Sequence, residues 1–411
     1  MKTVVKKVVL AYSGGLDTSA IIPWIKENYN SDVIAFVADV GQSKNDLINI
    51  RQKALESGAS QCIIVDLKEK FVTNYVYPML KTGALYEGNY LLGTAIARPI
   101  IAKAQVEIAL KLEADGLCHG ATGKGNDQVR FEMVYSALAP QLKVITPWRE
   151  WKFRSREELL FYLESRNIHT TSTIEKIYSR DENSWHLSTE GGILEDPWNC
   201  SKNDCWVWTV DPKNAPNISE CVSVKVENGN IVALDNIFLT PLECLKRLNF
   251  LGSKHGIGRI DIVENRLTGM KSRGCYETPG GTIMFAALRA LEQLVLDRDS
   301  FKWRQILGLE MSYVIYSGNW FSPIRRSIQA ASDELSSELN GEVVLELYKG
   351  MVIPVKKSSQ NSLYSKEFVT FSSDNVFNQS DACGFTKLFS LSSRIRAINN
   401  CYNSKNTDIK T

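Results

Sequence analysis

Nine residues near the start of the chain, Ala11-Tyr12-Ser13-Gly14-Gly15-Leu16-Asp17-Thr18-Ser19, constrain its fold more than any other segment. An apolar, β-branched run predicts a strand over residues 8–12, and the hydroxyl-rich segment after the glycines predicts a helix over 17–28. A strand, a tight turn and a helix in that order begin a βαβ unit, which belongs to a parallel sheet covered on both faces. Gly14 and Gly15 let backbone N–H groups approach a ligand closely. Ser13, Thr18 and Ser19 add hydroxyl donors, and the helix N-terminus adds partial positive charge, so the turn suits an anion. Asp17 would repel phosphate unless a cation bridged them, which points to a Mg²⁺-bound polyphosphate. The string is neither GxxxxGK[ST] nor GxGxxG, so it is not a Walker A loop and speaks against a dinucleotide dehydrogenase. A capped strand-to-helix turn without a ligand is the bland alternative. The full string at a first βα turn outweighs it.

The alternation continues. Strands are predicted at 33–37, 62–65, 116–119 and 142–146, and helices at 45–57 (stopped by Gly58), 95–112 and from Asp127 onward. Beyond Arg166 the texture changes to strand runs at 221–226, 231–234, 343–348 and 351–355, with helices at 282–296 and 323–339. Asn228-Gly229 is a hairpin signal, and Lys349-Gly350 plays the same part between the last two runs. A polar stretch near Asp374 precedes an amphipathic segment over 385–399, with Leu388, Leu391 and Ile395 at helical spacing. The expected fold class is therefore α/β. A parallel-sheet nucleotide-binding domain over 1–168 is followed by an α+β domain over 169–373 and a C-terminal helical arm over 374–411. The arm would pack on its own domain or reach a neighbouring subunit. A length of 411 residues accommodates two or three cores of this kind.

A second glycine-rich string, His119-Gly-Ala-Thr-Gly-Lys-Gly-Asn-Asp-Gln-Val-Arg-Phe-Glu132, ends one predicted strand and opens another helix. Loops at the carboxyl ends of parallel strands converge on one crevice, so this loop should face the first. Thr122, Asn126, Asp127 and Arg130 offer donors, an amine acceptor and a carboxylate clamp. His119 reads as structural, since a lone histidine at a strand end seldom does more. Charge narrows the partners. Lys+Arg 48 against Asp+Glu 46 leaves +2, which argues against a dedicated nucleic-acid binder. Two lysines break the first apolar run, and no apolar run reaches 18 residues, so neither a leader nor a membrane span is expected. The nine cysteines include no CxxC pair and fit free thiols in a reducing cytoplasm. Cys200 and Cys205 lack a second pair at zinc spacing, so no metal site is expected there.

The first string resembles the SGGxDS pyrophosphate loop of the N-type ATP pyrophosphatases. The second closely resembles the matching segment of the argininosuccinate synthase family. Three further stretches resemble the same family: Tyr90 to Pro99, Tyr178 to Pro197 and Glu264 to Gly280. So do Tyr316 to Pro323 and the tail from Thr386. The resemblance spans essentially the whole chain. It implies an adenine nucleotide alpha hydrolase-like first domain and a synthetase and multimerisation domain after it, in a homotetramer with an exchanged C-terminal arm. It also implies a ligase that condenses citrulline and aspartate, with ATP as co-substrate and Mg²⁺ expected, through a citrullyl-adenylate, for arginine biosynthesis.

Position by position, the resemblance places ATP on Ala11, Tyr12, Ser13, Gly14, Gly15, Leu16, Asp17, Thr18, Ser19, Ala38 and Gly120. It places citrulline on Tyr90, Ala95, Asn126, Arg130, Ser179, Ser188, Glu264 and Tyr276, and aspartate on Thr122, Asn126 and Asp127. The family often has Ser where this chain has Ala95; losing that donor would cost about 0.5–1.5 kcal/mol, or nothing if the contact is through the backbone. Read alone, Ser179, Ser188 and the acidic residues around them also fit helix caps and solvated loops. No general base is identified. A different ATP pyrophosphatase is the runner-up, either tRNA-thiolating or amidating, and a nucleotide-binding regulator without chemistry is a third reading. The charge balance, the missing CxxC and the lack of a glutaminase-like segment speak against the enzymes.

Overall fold

The computed structural model of the chain describes residues 5–43, 47–168, 178–370, 376 and 378–407. They form two compact units, Met1–Asn361 and Ser362–Thr411.

The first unit opens with the expected alternation: β1 (Lys7–Ala11), α1 (Leu16–Tyr29), β2 (Asp32–Asp39), α2 (Ile50–Glu56) and β3 (Gln61–Asp66). It continues with α3 (Gly93–Lys111), β4 (Gly116–Cys118), α4 (Asp127–Leu138) and β5 (Lys143–Ile145). The strands make a parallel sheet in the order β3-β2-β1-β4-β5. Both faces are covered. Val9, Ile34 and Phe36 join one hydrophobic core, while Val8, Leu10, Val33 and Val37 join another that contains Ile21 and Ile25 of α1. The chain winds one way from β1 and the other way from β4, so the loops after these two strands diverge and leave a crevice at their carboxyl ends.

The rest of the unit is α+β. A four-stranded antiparallel sheet has the order β11-β12-β7-β6, from β6 (Ser179–Asn183), β7 (His186–Glu190), β11 (Arg259–Asn265) and β12 (Lys271–Glu277). A five-stranded sheet runs β10-β9-β8-β13-β14, built from β8 (Glu220–Glu227), β9 (Asn230–Leu234), β10 (Ile237–Phe238), β13 (Gly341–Tyr348) and β14 (Met351–Ser358). Asn228 and Gly229 both take positive φ in the β8–β9 turn, as the hairpin signal requires. Helices α5 (Pro241–Lys254), α6 (Pro279–Val295), α7 (Arg298–Tyr316) and α8 (Pro323–Ser336) complete this part. Leu245, Leu248, Leu291, Val343 and Leu345 extend the core that Val9 begins.

Local expectations need correction in two places. Among the described residues the helix expected over 45–57 is interrupted: Leu47 is helical, Asn49 takes a left-handed φ of 59°, and a helix follows over Ile50–Glu56; residues 44–46 lie outside the described residues. The single amphipathic helix expected over 385–399 is two helices, Asp381–Phe389 and Leu391–Thr407, meeting at Ser390. Both belong to the second unit and leave Phe385, Leu388, Phe389, Leu391, Ile395 and Ile398 exposed.

Candidate active site

Two contiguous cavities occupy the crevice. The first cavity, about 430 Å³, is lined by Ala11, Tyr12, Ser13, Gly15, Asp17 and Thr18 together with Ala38. Gly14 turns the loop with φ +74°, and Gly15 caps α1 in an extended conformation with no side chain on the helix's first N–H groups. Those donors remain available to an anion. Ser13 Oγ and Thr18 Oγ1 lie 3.2 Å apart, and the Tyr12 hydroxyl lies 3.1 Å from Ser19 Oγ. These pairs fix the loop from its two ends. Gly120, across the crevice, fits only as glycine: a Cβ there would come 2.8 Å from Thr18 Cγ2. The Ala38 carbonyl accepts a 2.8 Å bond from the Gln42 side chain.

Burial raises the Asp17 carboxyl above its ordinary range, with Arg156 offsetting part of the rise. A half-desolvated carboxylate in an anion-binding loop is stabilised by a cation. Among the described residues no group of three or more His, Cys, Asp or Glu is arranged to hold a metal by itself. Mg²⁺ at nucleotide sites takes one or two carboxylates plus phosphate oxygens, and Asp17 fits that partial ligand set.

The second cavity is larger, about 820 Å³, and its floor is one face of the four-stranded sheet. Side chains alternate along strands, so pairing decides which residues share a face. Ser179 pairs with Glu190 and Asp181 with Ser188; Ser188 also pairs with Tyr276, and Ser272 with Glu264. These residues all line the cavity. The Tyr276 ring folds back over Gly274, where any Cβ would overlap it, and stands 4.8 Å from the Tyr90 ring. The Tyr90 hydroxyl accepts the Thr94 N–H at 3.0 Å. His186 lies beneath both tyrosines, and burial, with Arg98 nearby, lowers its pKa to about 3, so it is neutral.

From the α4 side, Asn126 donates to the Tyr316 hydroxyl at 2.8 Å and accepts the Leu267 N–H at 3.0 Å. Arg130 donates to the Tyr316 carbonyl at 2.9 Å and to Asp127 at 3.0 Å. Burial alone would raise the Asp127 carboxyl, but Arg98 and Arg130 outweigh it and hold the pKa down to about 2. Asp127 is thus ionised at neutral pH and unsuited to accept a proton. Glu264 is the opposite case. Burial and the neighbouring Glu190 push it up to about 7, and its Oε2 is buried without a partner. His119 is buried, accepts the Ala121 N–H at 3.3 Å and steadies the loop, as a structural residue should.

Most of the residues expected from the sequence line one cavity or the other. Three of the 11–19 loop do not: Leu16 packs in the core, Ser19 is buried behind Tyr12, and Gly14 forms the turn. Ala95 lines neither cavity and is fully buried in the core on α3. Ser179 and Ser188 lie on strands rather than in loops.

Sequence reasoning missed the residue at the junction. Arg98 lines both cavities, and its Nη2 donates to Asp127 at 2.9 Å and to Asp181 at 2.8 Å. Gly120, Ala121, Asp127, Ser179 and Asp181 also border both. Arg98 stands inside a quoted motif, and one arginine early in a helix carries no signal of its own. Glu190, Arg266 and Tyr316 were likewise only motif members. Arg266 pairs with Glu190 at 2.9 Å and donates to Ser272 at 2.7 Å across the cleft mouth.

Comparison with known proteins agrees with this geometry. Residues 7–169 match the arginosuccinate synthase N-terminal HUP domain, and residues 178–396 match the arginosuccinate synthase C-terminal domain. An argininosuccinate synthase of Buchnera aphidicola subsp. Baizongia pistaciae is 70% identical over 97% of this chain and 98% of its own length. Those of Serratia proteamaculans (68% identical, 97% of this chain, 98% of its own) and Photorhabdus laumondii (69%, 96% and 98%) are similar to the same extent. Matches to both domains of the family and 70% identity over 97% of the chain place it in the argininosuccinate synthase family, among ligases that form a C–N bond.

Proposed function

We propose that the two cavities are the two halves of one reaction, in which citrulline and aspartate are condensed to argininosuccinate as ATP is split to AMP and pyrophosphate. The observation that carries this reading is their shared border at Arg98, Gly120, Asp127, Ser179 and Asp181. A group bound in the large cleft meets the α-phosphorus of a nucleotide bound in the other only across such a border.

ATP lies on the 11–19 loop, its adenine against the backbone of Ala38, with a further contact at Gly120. Citrulline lies on the sheet face between Tyr90, Asn126, Arg130, Ser179, Ser188, Glu264 and Tyr276. Aspartate lies at Thr122, Asn126 and Asp127. Ala95 takes no side-chain part, since it is buried away from both cavities. The ureido oxygen attacks the α-phosphorus and pyrophosphate leaves onto the loop. The aspartate amine then attacks the ureido carbon, loses a proton and expels AMP. The α1 N–H groups and the Ser13 and Thr18 hydroxyls stabilise charge on the departing pyrophosphate. Mg²⁺, when bound at Asp17, neutralises part of the phosphate charge. Arg98 keeps Asp127 ionised and holds both Asp127 and Asp181 in place at the junction.

The reading extends to a cytoplasmic homotetramer assembled through the C-terminal arm. The exposed apolar residues of the last two helices support an arm that finds a partner surface. Residues Cys62 through Cys383 form no disulfide, which suits a reducing compartment.

The test is product release from purified protein. AMP and pyrophosphate should appear only when ATP, citrulline and aspartate are all present. Release driven by xanthosine monophosphate and ammonia, or none with citrulline, overturns the reading.

A further inference from the structure

The Tyr12 N–H donates to the Phe36 carbonyl at 2.8 Å, the last rung between β1 and β2. Alternate residues of a strand offer their backbone groups to the same neighbour. The groups of Ala38 therefore point to the side that β1 has already left. The Asp39 carbonyl turns the other way and accepts the Leu67 N–H at 2.8 Å. An acceptor at the open edge of a sheet, in the 430 Å³ cavity, is a natural ligand contact. Here it is taken by Gln42. Its Nε2 donates to the Ala38 carbonyl at 2.8 Å, and its Oε1 accepts the Val40 N–H at 2.9 Å. Ala38, Val40 and Gln42 all line that cavity, together with the apolar Phe36 and Ile50.

The turn does not depend on this bridge. The Val40 carbonyl accepts both the N–H and the hydroxyl of Ser184, at 2.8 and 3.0 Å, and the Gly41 N–H donates to Asp39 Oδ1 at 3.0 Å. Lys68 holds the other Asp39 oxygen. Gln42 is half-buried and can leave at the cost of two ordinary hydrogen bonds. Its carboxamide carries a donor and an acceptor on one carbon. The Watson–Crick edge of a 6-aminopurine carries the same pair on C6, an amino donor beside a ring-nitrogen acceptor. A 6-oxopurine reverses both.

We propose that Gln42 holds the base position in the nucleotide-free protein, and that the 6-amino group of a bound purine nucleotide displaces it from the Ala38 carbonyl. Backbone 38–40 then reads the amino group, and Gln42 is the competitor that the correct base must move. The assignment rests on the ATP reading of the same cavity and deepens it. A 6-oxo base sets its own carbonyl against that of Ala38 and leaves the acceptor unmet, which a site built for a donor rejects.

The experiment is calorimetric titration of the full-length protein without citrulline or aspartate, so that no turnover enters. The probes are ATP, inosine triphosphate and inorganic tripolyphosphate, which has no base. Gln42→Ala removes the whole carboxamide, and Gln42→Met removes its hydrogen bonds while keeping its length. Both should bind ATP more tightly by roughly two- to tenfold, the net worth of a hydrogen bond that no longer competes. Tripolyphosphate affinity should stay as in the parent, and inosine triphosphate should bind more weakly than ATP throughout. A side chain that only supported the turn would give the opposite sign. ATP bound equally or more weakly by both variants overturns the proposal. So does a tripolyphosphate affinity that rises with that of ATP, or equal binding of ATP and inosine triphosphate by the parent. No ATP binding by the parent overturns the nucleotide reading itself, and the role of Gln42 with it.

Discussion

Asn126 donates a 2.8 Å hydrogen bond to the hydroxyl of Tyr316, a residue 190 positions further along the chain. The bond joins the glycine-rich loop of the first sheet to the end of α7. Tyr316 also supplies the carbonyl that holds Arg130, and its ring stacks on Tyr86 at 3.7 Å. Tyr316→Phe keeps the stacking and the carbonyl and removes the hydroxyl, which accepts from Asn126 and also hydrogen-bonds the Glu264 carboxyl. It should raise KM for citrulline by roughly tenfold, the equivalent of about 1.4 kcal/mol, and change kcat less. Steady-state kinetics with citrulline varied checks this, and an unchanged KM would remove Asn126 orientation from the account.

Gly274 is required by a neighbour on its own strand, because any Cβ would overlap the Tyr276 ring. Gly274→Ala should swing that ring off the cleft floor and cost about 1–3 kcal/mol of stability, as overpacked sites do. Urea unfolding measures the loss, and weaker citrulline binding should accompany it. Full affinity in a folded variant would show that the ring position does not matter.

Asp17→Asn separates stability from catalysis. Burial raises the Asp17 carboxyl, so its charge destabilises the ligand-free fold, and the amide removes that cost. The ligand-free variant should be as stable as the parent or more so, while turnover falls by roughly 10²–10³-fold if the carboxylate helps neutralise polyphosphate. Pyrophosphate release at several Mg²⁺ concentrations is the measurement; near-normal turnover would dismiss the metal role of Asp17.

Glu264 predicts a pH signature. Burial lifts its pKa from 4.5 to about 7. Its carboxylate form attracts a substrate ammonium, so kcat/KM for citrulline should rise with pH to a plateau above about 7, the free-enzyme pKa. Glu264→Gln should flatten that rise. Stability runs the other way. The folded state holds this proton more tightly than the unfolded state, so the contribution is greatest below 4.5 and is lost as pH climbs to about 7. A Glu264→Gln protein that keeps the same kcat/KM profile would assign the pH dependence elsewhere.

Removal of the second unit, by ending the chain after Asn361, should lower the oligomeric state without unfolding the first. Sedimentation velocity distinguishes the outcomes, and a truncated protein that remains tetrameric would free the arm of any part in assembly.

Much of the proposed site was legible because glycine-rich turns between strand and helix are written in a local code. Gly14, Gly15 and the hydroxyls around them act within one turn, and Gly120 marks a close approach that only glycine allows. The sheet floor was not legible in the same way. β6 reads Ser-Arg-Asp-Glu-Asn, with no apolar residue, because it is an edge strand whose one face turns to the cleft. Period-two apolar alternation has nothing to act on there. Arg98 was invisible for a different reason: its partners Asp127 and Asp181 lie 29 and 83 positions away, so its role exists only in three dimensions. The helix expected over 45–57 is broken because the backbone at Asn49 turns left-handed between helical Leu47 and α2.

The pairing of β6, β7, β12 and β11 has one more consequence. Ser179, Asp181, Ser188, Glu190, Ser272, Glu264 and Tyr276 share a face only while the ladder keeps its present alignment. Exchanging one of these side chains alters one contact. Inserting or deleting a single residue within β12 turns its residues beyond that point onto the opposite face. Substrate preference in this cleft can therefore drift by substitution, one position at a time, whereas a change of length inside these strands erases recognition in a single event. Natural variation in length should be confined to the connections between them.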